Sequence, residues 1–144
     1  MDYKRYGLNL RHWLSWPFIW AVLIPLLLLD IFAEIYHRVS FPLYRLEYVK
    51  RKDYIKLDRY KLPYLTWADK INCLYCEYAN GLLHYVSEIA AVTEKYWCGI
   101  KHQPTKGFHE PIHQKNFLKY GDEKAFKEYC KMQRNKNKSK INKK

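Results

Sequence analysis

The sequence is poor in the residues that break helices and in the motifs that bind nucleotides. It has 5 Gly and 6 Pro among 144 residues, which favours a helical protein over a turn-rich β-sandwich. It contains no P-loop, no Gly-x-Gly-x-x-Gly fingerprint and no Gly-x-Ser-x-Gly elbow, so nucleotide hydrolysis, dinucleotide chemistry and serine hydrolysis have no support. Its 4 cysteines are too few and too unevenly spaced for a disulfide scaffold. The length excludes a large multi-domain enzyme.

One early segment has no charge at all. Residues 13–29 read WLSWPFIWAVLIPLLLL, and the apolar character continues to residue 36, which gives a length that can cross a bilayer. The sequence therefore predicts a transmembrane helix over residues 13–36, kinked at Pro25. Two alternatives stay open. One is a cleaved signal peptide, although no small-residue cleavage site follows the run, and the other is a re-entrant hairpin that bends at Pro25.

The charge lies behind this segment and predicts its orientation. Of the 26 Lys+Arg residues 23 follow residue 37, together with 11 of the 14 acids, so this part carries the whole net charge of +12. The more basic flank normally stays in the cytoplasm, which predicts a single-pass protein of the inner (plasma) membrane with its N-terminus outside and its C-terminal domain cytoplasmic. Anionic lipid headgroups are the expected counter-charge, and nucleic-acid binding is not expected. Cytoplasmic thiols are usually reduced, which leaves metal binding, redox chemistry or packing for the cysteines.

The part behind the apolar segment is predicted to be mainly α-helical. A capping box at Thr66–Asp69 begins an apolar repeat with helical steps that continues to Tyr96 and keeps its phase through Gly81, so one long helix is expected. A short amphipathic helix is expected over residues 122–132. The predicted organisation is an N-terminal flank, a transmembrane helix, a basic aromatic interfacial segment, a helical Cys/His region and a disordered basic tail, at residues 1–12, 13–36, 37–63, 64–130 and 131–144.

Two groups of residues have the composition of a metal site. Cys73, Cys76, Cys98 and His102 have the donor types and local spacings of a Cys3His site for zinc or iron. A continuous helix would hold Cys76 and Cys98 about 33 Å apart, so one shared site needs an interrupted helix or a second chain. Secondary candidates are His84 on the long helix and the loop residues His109 and His113. The alternative is that the cysteines only pack as small apolar residues.

A third group lies at the end of the apolar segment. Asp30, Glu34 and His37 share one helix face at i, i+4 and i+7, and Glu-x-x-His is a spacing used in carboxylate di-metal bundles. Such groups could be catalytic, but an interfacial role with Arg38 and lipid headgroups as partners is favoured. The cysteine-bearing helix could join this group if the two helices pack together.

The segment LPYLTWADKINCLYCEYANGLLHYV, with EKYWCGIKH after it and DIFAEIYHR before it, resembles a group of small bacterial single-pass membrane proteins with a cysteine-containing helical region. The resemblance covers about residues 13–130. No activity is established for that group, so the resemblance implies a membrane segment and a bacterial source but no catalytic residue.

These observations predict a small membrane-anchored accessory protein with a cytoplasmic Cys/His metal-binding or thiol redox site. The first alternative is a structural or interaction subunit of a membrane complex, bound to a membrane protein partner or to a second copy, whose cysteines only pack. The second alternative is a membrane-bound enzyme that uses Asp30, Glu34 and His37.

Overall fold

The structure is a computed structural model that describes the backbone of residues 10–141 and the side chains of residues 14–135. Four α-helices make up most of it: α1 (Leu10–Ala21), α2 (Leu23–Tyr44), α3 (Trp67–Trp97) and α4 (Glu123–Ile141). Short 3-10 helices lie at Arg51–Asp53, Arg59–Lys61 and Ile112–Asn116. Within the described range there is no β-strand, so the prediction of a mainly helical protein is confirmed. Residues 1–9 of the predicted N-terminal flank and residues 142–144 of the basic tail lie outside the described residues.

The apolar segment forms two consecutive helices that are separated by a turn at Val22. The break has a local cause, because Pro25 has no N–H with which to bond the carbonyl of Ala21, four residues earlier. The kink predicted at Pro25 therefore falls one turn before the proline. Residues 14–44 form a run long and apolar enough to cross a membrane, which is compatible with either a membrane span or a signal sequence.

Helix α2 continues eight residues beyond the predicted end of the apolar segment at residue 36. Its last turn is closed by a Schellman-type pair of backbone bonds, from the N–H of Arg45 to the carbonyl of Pro42 and from the N–H of Leu46 to that of Phe41. Arg45 adopts a φ of 56° at this position. Residues 37–44 of the segment predicted to be interfacial are part of α2, and the fully buried Phe41 holds this end of the helix against its surroundings.

The chain divides into two compact units, residues 1–90 and 91–144. In the first unit α2 has two faces of opposite character. Its outer face exposes large apolar side chains, among them Phe32 (66% exposed) and Leu43 (73% exposed). Its inner face carries Leu26, Asp30, Glu34, His37 and Phe41 at helical spacing. The core of this unit also includes three residues of α3: Leu82, Tyr85 and Ile89.

Helix α3 begins where the sequence predicts. The hydroxyl of Thr66 accepts a hydrogen bond from the N–H of Asp69 at 3.3 Å, and the Asp69 carboxylate accepts one from the N–H of Thr66 at 3.2 Å, so the capping box is confirmed. The helix passes through Gly81 without a break. Gly81 is needed for a close approach, because a Cβ there would lie 2.8 Å from the carbonyl oxygen of Tyr54 and 2.9 Å from the Cα of Ile55.

In the second unit, residues 98–122 are held together by a few polar and backbone contacts. Glu94 accepts hydrogen bonds from Gln114 Nε2 and pairs with His113 Nε2, each at 2.7 Å. Leu118 pairs with the backbone of residues 99–101. Helix α4 continues to Ile141, within the segment that the sequence predicts to be a disordered basic tail. Lys, Arg, Gln and Met are good helix formers, and cations near a helix C-terminus are favoured by its dipole.

Candidate functional site

The candidate site lies on the inner face of α2, where Asp30, Glu34 and His37 follow one another at the spacing of one helix turn. The structure brings these three side chains together with residues from two other segments of the first unit. Their partners come from the 3-10 helix Arg51–Asp53 and from α3. We call Asp30, Glu34, His37, Arg51, Tyr78 and Tyr85 the Arg51 cluster.

Asp30 is bound in a bidentate manner by Arg51. Nη1 of the guanidinium donates to Oδ1 of Asp30, and Nη2 donates to Oδ2 at 2.6 Å. The hydroxyl of Tyr78 donates a third hydrogen bond to Oδ2 at 2.7 Å. The Asp30 side chain is 14% exposed, so a carboxylate that follows an uncharged run of residues is almost removed from solvent and fully hydrogen-bonded.

Glu34 joins the guanidinium to the rest of the cluster. Its Oε1 accepts hydrogen bonds from Arg51 Nη1 at 3.3 Å and from the hydroxyl of Tyr85 at 2.9 Å. Its Oε2 accepts from Nε of Arg38 at 3.1 Å, and Arg38 lies on the solvent side with 76% of its side chain exposed. The ion pair between Glu34 and Arg38 that the helical spacing suggests is present, but Arg51 is the cation that both carboxylates share.

His37 is 2% exposed and has a partner at each ring nitrogen. The N–H of Val49 donates to Nε2 at 3.2 Å, so Nε2 carries no proton and Nδ1 carries one in the neutral ring. Nδ1 lies 3.0 Å from the hydroxyl oxygen of Tyr85, which donates its own proton to Glu34. The contacts therefore define a directed chain of hydrogen bonds from the Val49 amide through His37 and Tyr85 to the Glu34 carboxylate.

The electrostatics of the cluster follow from this geometry. The hydrogen bonds to Asp30 raise the pKa of Arg51 above its already high value, so this side chain is a permanent cation. Burial raises the pKa of the Tyr78 hydroxyl to about 12, and burial likewise raises that of Tyr85. Two carboxylates and the guanidinium groups of Arg38 and Arg51 balance in charge. The phenols stay protonated and donate their hydrogen bonds at any physiological pH.

A cleft of about 520 Å³ opens beside the cluster and is lined by Glu34, His37, Arg38, Tyr48, Val49, Arg51 and Tyr85. It gives solvent or a small polar group access to the Glu34 side chain, which is 24% exposed. Both carboxylate oxygens of Asp30 and of Glu34, and both ring nitrogens of His37, nevertheless have hydrogen-bond partners within the protein. The arrangement positions residues 46–51 and α3 against α2, and it offers paired charges rather than an open coordination position.

The predicted metal ligands are not brought together. Cys73 and Cys76 lie in the first half of α3, which runs unbroken to Trp97, and Cys98 directly follows that helix. His102 contacts the ring of Phe108, and His113 pairs with Glu94. No group of three or more His, Cys, Asp or Glu side chains suited to a metal ion occurs among the residues that the structure describes. Zinc or iron binding by Cys73, Cys76, Cys98 and His102, or by His109, stays a prediction.

His84 lies elsewhere on α3, in a second cleft of about 310 Å³ that it shares with Arg59, Glu77 and Asn80. Glu77 is the buried acid of this region. Its Oε1 accepts hydrogen bonds from the backbone N–H and the Nε of Arg59, both at 2.9 Å. The cysteine-bearing helix does pack beside Asp30 and Glu34, but it presents Tyr78 and Tyr85 to them rather than its cysteines.

Sequence reasoning missed Arg51, Tyr78 and Tyr85 as members of the site. Both tyrosines lie at apolar positions of the α3 repeat, where the sequence does not show which group would accept the hydrogen bond of a buried hydroxyl. Two acids in an apolar helix also require a cation. Spacing alone could not choose Arg51, because seven Lys and Arg residues lie between residues 38 and 59.

Comparisons with protein-family models, curated proteins and solved structures found no match to the chain.

Proposed function

We propose that the protein is a membrane-anchored structural or interaction subunit, in which α1 and α2 stay in the mature protein as a single-pass anchor. The Arg51 cluster carries this proposal, because it ties the inner face of α2 to residues 46–85 through charged hydrogen bonds. Removal of the apolar segment as a signal peptide would leave Arg51, Tyr78 and Tyr85 without their partners.

The outer face of the anchor supports contact with lipid. Only 6% of the most apolar 18 residues of the 14–44 run is buried. An apolar surface of this extent is costly in water and favourable in hydrocarbon. The basic residues between 45 and 61 follow the anchor directly, which suits a cytoplasmic face that carries anionic headgroups. The N-terminus would then lie outside.

The saturation of the cluster favours a structural role over catalysis. A catalytic acid or base has to exchange a proton with its substrate, whereas Asp30 and His37 are buried and hydrogen-bonded to protein groups. Bidentate and multiply bonded ion pairs of this kind fix a geometry. The cluster therefore acts as a latch between the anchor and the helical domain of residues 45–90.

The test is extraction of membranes from cells that express the full chain, followed by the intact mass of the purified protein. We expect the chain to resist alkaline carbonate and to keep residues 14–44. An intact mass that corresponds to a chain beginning beyond residue 30 would contradict the proposal. Orientation is tested on intact cells with a membrane-impermeant maleimide, which should label Cys98 and Cys130 only after the membrane has been permeabilised.

The same preparation separates the structural role from the enzymatic alternative. We expect Glu34→Gln and His37→Ala to lower the abundance and the unfolding temperature of the protein together, because each removes part of the latch. Variants that keep full abundance and stability, but abolish the phenotype that a deletion strain shows, would favour catalysis by Asp30, Glu34 and His37.

A further inference from the structure

Two cysteines lie one helix turn apart on a part of α3 that the Arg51 cluster does not use. Cys73 is partly exposed and Cys76 is exposed, and neither forms a disulfide. In a regular helix the Cβ atoms of residues i and i+3 are about 5–6 Å apart. The two sulfurs are therefore neighbours that a small molecule in solution can reach.

A fixed cation lies beside this pair. Glu77 is four residues after Cys73 and directly follows Cys76, and its buried carboxylate holds the Arg59 side chain through Nε at 2.9 Å. The backbone N–H groups of Asp58 and Arg59 donate to the same carboxylate oxygen, which fixes the 3-10 helix that carries the arginine. The charge of Arg59 lies close enough to interact favourably with either cysteine in its thiolate form, which raises the pKa of Arg59 after the larger effect of its hydrogen bond to Glu77.

Surroundings of this kind are typical of reactive rather than structural cysteines. The thiolate is the nucleophilic form of cysteine, and an adjacent Arg or Lys stabilises it. The Glu77 side chain is 3% exposed and that of Arg59 is 55% exposed, so a buried carboxylate holds one edge of a guanidinium whose remainder is open to solvent. Arg59 is a positioning residue here, since it acts through its charge on the sulfurs.

We propose that Cys73 and Cys76 form a thiol–disulfide exchange site for low-molecular-weight disulfides. The thiolate of Cys76, the more exposed cysteine, attacks one sulfur of the small disulfide, whose S–S bond breaks and releases one small thiol. Cys73 then loses its proton to solvent and attacks the Cys76 sulfur, which releases the second small thiol. Two protein thiols are oxidised to one disulfide, and one small disulfide is reduced to two thiols.

The helix geometry makes this bond reversible. A disulfide requires Cβ atoms about 3.5–4.5 Å apart, closer than one turn of regular helix provides. Closing it demands a local adjustment of the helix, and the carbonyl of Cys76 already accepts a side-chain hydrogen bond from Asn80 at 2.8 Å, which competes with the backbone bond of the helix. Strained disulfides are the easily reduced ones, so the site fits a redox response rather than a permanent bridge.

The experiment uses the full chain in mild detergent with Cys98→Ser and Cys130→Ser, which leaves the two cysteines of interest. The protein is incubated with glutathione disulfide, quenched with acid and measured by intact mass. We expect a product in which the two thiols have become one internal disulfide, so that its mass is lower by two hydrogen atoms and includes no glutathione. Adding Cys73→Ser should stop the reaction at one glutathione on Cys76. A product with glutathione on both sulfurs and no internal bond would overturn the proposal.

The role of Arg59 is tested by the rate of the first step. We expect Arg59→Gln to slow modification of Cys76 about threefold, the effect of one partly exposed charge, while Arg59→Lys stays near the parent rate. Lys61→Gln is the matched control, since it removes a cation from the same 3-10 helix without a contact to Glu77. Equal rates for Arg59→Gln and Lys61→Gln would contradict the role of Arg59. The proposal does not depend on whether α1 and α2 cross a membrane.

Discussion

Replacing Arg51 by methionine is the sharpest test of the latch. The substitution keeps the length and apolar character of the side chain but leaves Asp30 and Glu34, with side chains 14% and 24% exposed, as two facing anions. Arg51 donates three hydrogen bonds to these carboxylates, and losing a hydrogen bond to a charged group costs about 1.5–3 kcal/mol. Because the three bonds share one guanidinium that is 37% exposed, we expect a total loss of about 2–3 kcal/mol rather than their sum.

The measurement is the free energy of unfolding in mild detergent, followed by far-ultraviolet circular dichroism. Lys52→Met is the matched control, because Lys52 is the next cation of the same 3-10 helix and is exposed. We expect it to change the unfolding free energy by less than about 0.5 kcal/mol. A second control adds Asp30→Asn to Arg51→Met, and the two changes should be non-additive by about 1–2 kcal/mol, as for residues in direct contact. Equal losses of unfolding free energy in Arg51→Met and Lys52→Met, or fully additive effects of Arg51→Met and Asp30→Asn, would refute the stabilising role of the Arg51 cluster.

Three further predictions follow from other contacts. Burial raises the pKa of Tyr78 to about 12, so the stability that its hydroxyl contributes should be present below the ordinary tyrosine pKa near 10 and be lost as the pH rises through 12. In a series of unfolding measurements at alkaline pH, Tyr78→Phe should reduce this loss of stability, whereas Tyr64→Phe, at an exposed position, should leave it unchanged. Gly81→Ala should lower the free energy of unfolding by about 1–3 kcal/mol, because the added Cβ would clash with the backbone of residues 54 and 55, although Ala favours a helix. Ser87→Ala, at an exposed position of the same helix, is the control and should raise the thermal stability. A similar gain for Gly81→Ala would contradict the close approach of residues 54 and 55 to the helix. Thr66→Ala should cost about 1 kcal/mol by chemical denaturation, and Thr66→Ser should restore most of it.

The features that the sequence predicts best are those set by nearby residues. The start of α3 follows from the capping box at Thr66, and its continuity follows from the apolar repeat that Gly81 does not disturb. The shared face of Asp30, Glu34 and His37 follows from helical spacing alone. Each of these follows from residues that are neighbours along one helix, where helix geometry leaves little choice.

The features that the sequence did not predict depend on distant partners. Arg51 lies 21 residues from Asp30, and Tyr85 lies 51 residues from Glu34, so no local pattern links them. The end of α2 at Tyr44 was missed for the same reason, because the burial of Phe41 against the rest of the unit outweighs the mixed composition of residues 38–44. Tertiary contacts decide where an ambiguous segment stays helical.

The latch also constrains how an anchored chain can fold. A helix with two unpaired carboxylates and an imidazole on one face is costly in hydrocarbon, while its opposite face is costly in water. The two costs are relieved together only when lipid covers the outer face of α2 and Arg51, Tyr78 and Tyr85 cover the inner one. For the membrane-anchored chain that we propose, stable insertion of α2 would therefore be coupled to the folding of residues 46–85, since that segment supplies the cation and the two phenols that pair with its inner face. On this reasoning Arg51→Met should weaken retention in the membrane as well as stability, whereas a loss of stability with unchanged carbonate resistance would show that the anchor inserts on its own.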